Sequence, residues 1–207
     1  MRLYLVRHGE SEGNISRTHQ YEHTPLSNTG KEQAKIVAKR LKRHNIDVFY
    51  ASPYVRAQET AITISKIIGK PVKILDELRE TPNPSELNGL HYDDPKAVKI
   101  KNKMKNNWHK SDWKYSDEES FNQLKDRSLK LLQYLLKNHR DKNVLCVCHA
   151  GIMKAIIAGM LLGEKLTPEV LLGFRHHLWT QNTGITECEY TDKYGWGLLT
   201  WNDTTHL

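Results

Sequence analysis

The chain has 207 residues, with 31 lysines and arginines against 24 aspartates and glutamates, for a formal net charge of +7. A hydrophobic share of 38% and a charged share of 27% are those of an ordinary globular protein and exclude the disordered and fibrous classes. The length suits one domain, or one domain with an insertion, and buries a core without cross-links. The cationic excess favours anionic partners without choosing among nucleic acid, a membrane surface and phosphorylated metabolites. No charged-then-apolar leader opens the chain and no apolar stretch is long enough to span a bilayer, so no membrane partner is expected and the expected location is the cytoplasm. Three cysteines, Cys146, Cys148 and Cys188, are too few and odd in number for a disulfide framework, and Cys146 and Cys148 read as packing residues. Asn14-Ile15-Ser16 and Asn202-Asp203-Thr204 match the glycosylation sequon and read as chance matches.

In chain order, strands are predicted at residues 2–6, 47–51, 72–75, 143–148, 186–190 and 197–201. The first four are short apolar runs, as in a sheet covered on both faces. Ala34, Val37, Ala38 and Leu41 recur at helical spacing after Ser27, which is placed to cap them. Ser52-Pro53 supplies a cap and a proline at the first helical position, and Ala57, Ala61, Ile64 and Ile68 line the face that follows. The stretch 81–116 breaks this rhythm. It opens with "TPNPSELNG" and continues into a helix with Ala97, Ile100, Met104 and Trp108 on one side and Lys96, Lys99, Lys103 and Lys110 on the other. Ser116 with Glu119 forms a capping-box pattern ahead of a helix carrying Phe121, Leu124, Leu131 and Leu135. Alternating strands and helices predict an α/β fold with a mostly parallel sheet. We expect one domain over residues 1–207, with an insertion at about 81–116.

Ligands of open α/β sheets sit beyond the carboxyl ends of the strands. The first strand runs into Arg7-His8-Gly9, the second into Ser52 with Arg56 one turn into the next helix, the third toward Glu80, and the fourth into His149-Ala150-Gly151. If these strands are parallel neighbours, two histidines, two arginines and one carboxylate meet on one rim. Phosphoryl transfer needs such a set. Arginine forks spread the charge of a phosphate dianion, and a helix N-terminus adds N–H donors. A neutral imidazole attacks phosphorus, and neighbouring arginines keep it neutral. A carboxyl group protonates the leaving oxygen.

Five segments then carry a family resemblance, in order along the chain: "VRHGESEGN", "PLSNTGKEQA", "ASPYVRAQETA", "ELRE" and "VCHAG". Together they resemble the histidine phosphatase superfamily, also called phosphoglycerate-mutase-like. The resemblance implies a three-layer α/β/α sandwich with a helical cap insertion. It implies His8 as the phosphorylated nucleophile, Glu80 as proton donor and then base, and Arg7, Asn14, Arg56 and His149 as phosphate ligands. Gln20 and Ala150 would touch substrate. No metal and no cofactor are needed, because fixed cations neutralise the phosphoryl oxygens. The chain departs from the family at Gln20-Tyr21-Glu22-His23 and after the acid, at Thr81-Pro82-Asn83-Pro84, so the core motif carries over and specificity does not.

The expectation is therefore a metal-independent phosphomonoesterase with a phosphohistidine intermediate, acting on a small anionic metabolite. A cofactor-dependent phosphoglycerate mutase is the alternative within the family; the chain lacks the mutase Arg-His-Tyr-Gly continuation and is of modest length. A non-catalytic phospholigand-binding protein is an alternative of another class, and a homo-oligomer is compatible with the sequence. Gly9-Glu10-Ser11-Glu12-Gly13 also fits the G-x-S-x-G elbow of α/β-hydrolases, with Ser11 as nucleophile, but it follows the first strand without opening an apolar helix. The lysine-rich helix is either a solvated face or an attractor of anionic substrate. Trp108 and Trp113 interleave with it, yet no nucleic-acid module is present and nucleic acid is not the expected partner. His19, His23, His176 and His177 read as surface or pocket-rim residues, without zinc-ligand spacing.

Overall fold

The computed structural model describes residues 1–207. Six strands form one sheet: β1 (Arg2–Arg7), β2 (Val48–Ala51), β3 (Lys73–Ile74), β4 (Asn143–Cys148), β5 (Ile185–Thr191) and β6 (Gly195–Asp203). Their order is β3-β2-β4-β1-β5-β6. The first four are mutually parallel, while β5 and β6 run antiparallel at one side. The helices are α1 (Glu12–Ile15), α2 (Asn28–Leu41), α3 (Val55–Ile68), α4 (Pro95–Asn107), α5 (Phe121–His139), α6 (Ala150–Leu162) and α7 (Pro168–His177). This is the expected α/β sandwich with a mostly parallel sheet.

Strand alternation sorts the core into two layers. Leu3, Leu5, Val144, Cys146 and Cys148 face α5, α6 and α7, with Leu131, Leu135, Ile152 and Ile156 packed on them. Tyr4, Val6, Leu145 and Val147 face the other way, onto Val37, Leu41, Ala57, Ala61 and Ile64 of α2 and α3. The three cysteines are free and buried, as the packing reading requires. No helix is long and apolar enough to cross a membrane.

Three local expectations are corrected. The third strand has two residues instead of four, both exposed, because it lies at the sheet edge and the chain turns into a 3-10 turn at Asp76–Leu78. The helix after β2 starts at Val55, not at Pro53: Ser52 does not cap it, because its hydroxyl is drawn to His149 at 2.7 Å. The capping box of α5 is Ser120 with Gln123, not Ser116 with Glu119. Glu119 is claimed by Arg127 instead. Ser27 caps α2 as expected, accepting the Gly30 N–H at 3.0 Å.

Between Leu78 and α5 the chain leaves the sheet. A 3-10 turn at Ser85–Leu87 leads to α4, and Leu87, Ala97 and Ile100 form a small cluster of their own with Met104 beside it. The Trp108 indole leaves this segment to donate to the Pro168 carbonyl at 2.7 Å. Lys96, Lys99, Lys103 and Lys110 are exposed, which fits a solvated face.

Candidate active site

Parallel pairing sets Arg7 beside Cys148, so the residues that follow, His8 and His149, leave neighbouring strands on the same rim. The His8 amide continues the ladder to the Cys148 carbonyl at 3.0 Å. The backbone must then turn under α2. A Cβ on Gly9 would lie 2.4 Å from the Gly30 carbonyl oxygen, so glycine is required by close approach. The Gly9 amide is held by Thr60 Oγ1 at 3.1 Å.

His8 is 3% exposed, and its Nδ1 lies 2.7 Å from the Gly9 carbonyl. A carbonyl only accepts, so Nδ1 carries the proton and Nε2 keeps its lone pair. Arg56 Nε–H donates to that Nε2 at 3.3 Å. Burial, then Arg56 and Arg7, push the His8 ring well below the ordinary histidine range; the Gly9 carbonyl opposes them. The ring is neutral, with its lone pair aimed at a guanidinium.

Arg56 is itself 3% exposed and is fixed by donating Nη1–H to the Tyr21 carbonyl at 2.9 Å, with its guanidinium 5.2 Å from the Tyr54 ring. The His149 ring lies 5.1 Å from that of His8 and is fully buried. Ser52 Oγ accepts the Tyr54 N–H at 3.3 Å and, 2.7 Å from His149 Nε2, is free to donate its own hydrogen there. With Ser52 donating to Nε2, the proton of the neutral ring sits on Nδ1, which is buried without a partner in the protein. Burial and Arg56 push His149 far down as well. Arg7 donates Nη1–H to the Thr180 carbonyl at 2.6 Å, while its Nε is likewise buried and unpartnered. Two orphaned donors beside a neutral imidazole suit a compact anion.

Asn14 and Gln20 are organised by Ser11. The Ser11 hydroxyl lies 2.8 Å from Gln20 Oε1 and 2.9 Å from Asn14 Oδ1, with one proton to offer between them, and its oxygen accepts the Asn14 N–H at 3.3 Å to cap α1. Asn182 Nδ2 also reaches Asn14 Oδ1, at 3.4 Å, which leaves the Asn14 amide nitrogen as its free end. Ser11 is wholly buried in this capping role. The hydrolase-elbow alternative fails on that burial.

Glu80 arrives from the other side. Its carboxylate oxygens accept the Gly151 and Ile152 N–H groups at 3.0 Å each, at the N-terminus of α6, and the Thr81 N–H at 2.8 Å. A Cβ on Gly151 would sit 2.4 Å from Glu80 Oε1, so glycine there admits the carboxylate. Arg7, His8, Asn14, Gln20, Arg56, Glu80 and Ala150 all line one cleft of about 700 Å³. His149 lies beneath it. His19 and His23 border the same cleft; His19 is buried and His23 exposed beside Glu22.

Sequence reading missed Ser52 as the partner of His149 and Asn182 as the donor to the His8 carbonyl at 3.0 Å. The "SP" pair carries a signal for a helix cap, which masked the first; the loop before β5 carries no signal for the second. It also missed Lys101. This lysine turns inward to Asn83 Oδ1 at 2.9 Å, and burial, aided by Arg175, pushes it down to about 8.

An α/β sandwich with this arginine–histidine rim defines a phosphoryl-transfer protein. The model of the histidine phosphatase superfamily (branch 1) matches residues 3–204, and the chain belongs to that superfamily. A metal-independent phosphoserine phosphatase of Arabidopsis thaliana is 28% identical over 213 residues, covering 99% of this chain and 82% of that protein. A 2,3-bisphosphoglycerate-dependent phosphoglycerate mutase of a Methylobacterium species is 32% identical over 189 residues, covering 86% of each. A mutant phosphoserine phosphatase from Entamoeba histolytica, solved with phosphoserine, superposes with a TM-score of 0.80 at 28% identity, covering 100% of this chain and 98% of that one.

Proposed function

We propose that this protein is a phosphatase that hydrolyses phosphomonoesters of small metabolites through a phosphohistidine at His8, without a metal. The observation that carries this is the state of His8: a buried neutral ring, Nδ1 tied to the Gly9 carbonyl, Nε2 facing Arg56. Nε2 attacks phosphorus and the bond to the leaving oxygen breaks as that oxygen takes a proton from Glu80. Water then attacks the phosphorus. Glu80 takes the water proton, the N–P bond breaks, and His8 returns to its neutral state with Nδ1 still protonated. Arg7, Arg56, the Asn14 amide and His149 Nδ1–H hold the phosphoryl oxygens throughout, so the charge is met by groups already fixed in place.

Gln20 and Ala150 border the region where the substrate's remainder lies, and residues about 81–116 act as a cap within a single domain. The wall there is polar, with Asn83, Ser85, Asn88 and Tyr92, which suits a small polar metabolite such as those the relatives' names record. Hydrolysis is favoured over mutase activity by the exposure of Tyr21, Glu22, His23 and Asn88 around the cleft, which leaves water a path to the phosphoenzyme. Three free thiols fit the reducing cytoplasm.

The test uses p-nitrophenyl phosphate and acid-quenched protein. Turnover is expected to survive EDTA and to be blocked by vanadate, with acid-labile, base-stable phosphate that is absent in His8→Ala. Loss on chelation with recovery on a divalent ion, or an unchanged phosphoenzyme in His8→Ala, overturns the reading. Rapid interconversion of 3- and 2-phosphoglycerate with little free phosphate would establish the mutase.

A further inference from the structure

Asp117, Glu118 and Glu119 form an acidic run ahead of α5. Such a run reads as solvated surface, yet each member has a separate task. Asp117 Oδ1 accepts the Ser85 N–H at 2.9 Å. Glu118 Oε2 accepts the Ser116 N–H at 2.9 Å. Glu119 turns inward, its side chain 11% exposed, against Arg127, whose side chain is 7% exposed.

Arg127 grips Glu119 with a fork: Nε–H to Oε1 at 2.8 Å and Nη2–H to Oε2 at 2.5 Å. The third nitrogen, Nη1, donates to two backbone carbonyls, of Glu77 and of Arg79, both at 2.8 Å. The Arg79 carbonyl belongs to the peptide unit whose nitrogen is that of Glu80. The Arg79 side chain closes the set by donating Nη2–H to Glu119 Oε1 at 2.7 Å. One guanidinium thus spans a carboxylate and two carbonyls, which a lysine ammonium cannot match in plane.

Glu80 has no regular element beneath it. A 3-10 turn ends at Leu78, and the chain has no further regular structure before Ser85. Its carboxylate is held at one end by the first turn of α6, and its backbone at the other end by Arg127. A proton donor carried on a loop needs both anchors, because a displacement of about 1 Å costs on the order of 10²-fold in rate.

We infer that the Arg127–Glu119 pair is a positioning device for Glu80, fixing the peptide unit from which the proton donor projects. The inference rests on the reading of Glu80 given above. It separates from a merely structural ion pair by its dependence on the leaving group. An alkyl phosphate needs the leaving oxygen protonated, whereas p-nitrophenyl phosphate does so far less in the burst of phosphoenzyme formation.

Arg127→Lys and Glu119→Gln are therefore compared with Glu80→Gln and with the Arg127→Lys/Glu80→Gln double variant. We expect each single clamp variant to lower kcat on an alkyl phosphate by about 10²-fold with KM nearly unchanged. The p-nitrophenol burst is expected to change little, and Arg127→Lys is expected to add nothing to Glu80→Gln. Equal losses on both substrates, or additive losses in the double variant, overturn the inference. Should Arg127→Lys fail to fold by thermal melting, Glu119→Gln carries the same comparison. If Glu80→Gln itself shows no leaving-group dependence, the reading of Glu80 falls and takes the inference with it. If Glu80→Gln shows it and the clamp variants do not, only the inference falls.

Discussion

At the floor of the cleft, His8, Arg56 and His149 are buried and each has a protein partner for at least one nitrogen. At its wall, Tyr21, Glu22, His23, Ser85 and Asn88 are exposed and come from loops and one short 3-10 turn. The floor hangs on the ends of β1 and β4 and the first turns of α3 and α6, so its geometry is set by the sheet ladder. The wall hangs on loops whose backbone answers to local turns. On the reading proposed above, the buried floor would fix the reaction and the solvated wall would meet the variable part of the substrate.

The largest expected effect comes from breaking the floor. Arg56 serves the His8 ring and the Tyr21 carbonyl through two different nitrogens. Arg56→Ala is expected to lower kcat on p-nitrophenyl phosphate by about 10²–10³-fold, and Arg56→Lys to rescue little, because one ammonium cannot reproduce both bonds. Steady-state kinetics with a thermal melt as fold control decides it.

Gly151 lies where floor and acid meet. Gly151→Ala places a methyl 2.4 Å from Glu80 Oε1 and 2.9 Å from Thr81 Oγ1, so the carboxylate must move. We expect losses of up to about 10²-fold on alkyl phosphates and smaller losses in the aryl burst. Equal losses on both would show that the methyl disturbs α6 as a whole.

Acid sharpens the contrast in stability. His8 and His149 are held well below their ordinary range by burial first and by Arg56 second. In the unfolded chain such rings protonate near about pH 6.5. Below that, the unfolded chain binds more protons than the folded one, so stability falls as pH drops, by up to about 1.4 kcal/mol per pH unit for each ring. Above it the two rings contribute no slope. Urea midpoints between pH 7 and 5.5 should fall less steeply in His8→Asn than in the parent, whereas an unchanged slope would mean that His8 titrates normally in the fold.

The smallest effect belongs to the wall. Asn88 is exposed and borders the cleft. Asn88→Ala is expected to shift the preference among phosphomonoesters by roughly tenfold, through KM, while leaving the phosphorylation burst unchanged. A fall in the burst would place Asn88 with the floor.

The floor was legible because its residues sit at strand ends, where short apolar runs stop at charged or small residues. Leu3 to Val6 ending in Arg7-His8-Gly9, and Val144 to Cys148 ending in His149, announce parallel strands with ligands at their tips. The helix starts were less legible. Ser52 and Glu119 both carry strong capping signals, and both are diverted: Ser52 to His149 and Glu119 to Arg127. A cap is worth about 1 kcal/mol. A partner 97 or 8 residues away, inside a buried network, outweighs it because a buried histidine or arginine left unpaired costs more.

What the sequence determined by itself is the order of strands and helices, the two-sided core and the residue types at the rim, because periodicity and turn chemistry are local properties of the chain. What only the tertiary structure decided is which atoms those residues use. The proton on His8 Nδ1, the unpartnered Nδ1 of His149 and the anchoring of Glu80 between α6 and Arg127 follow from the groups that the fold brings together. Hydrogen bonds in a low-dielectric interior are fixed by distance and direction, and those exist only once the sheet has set its register.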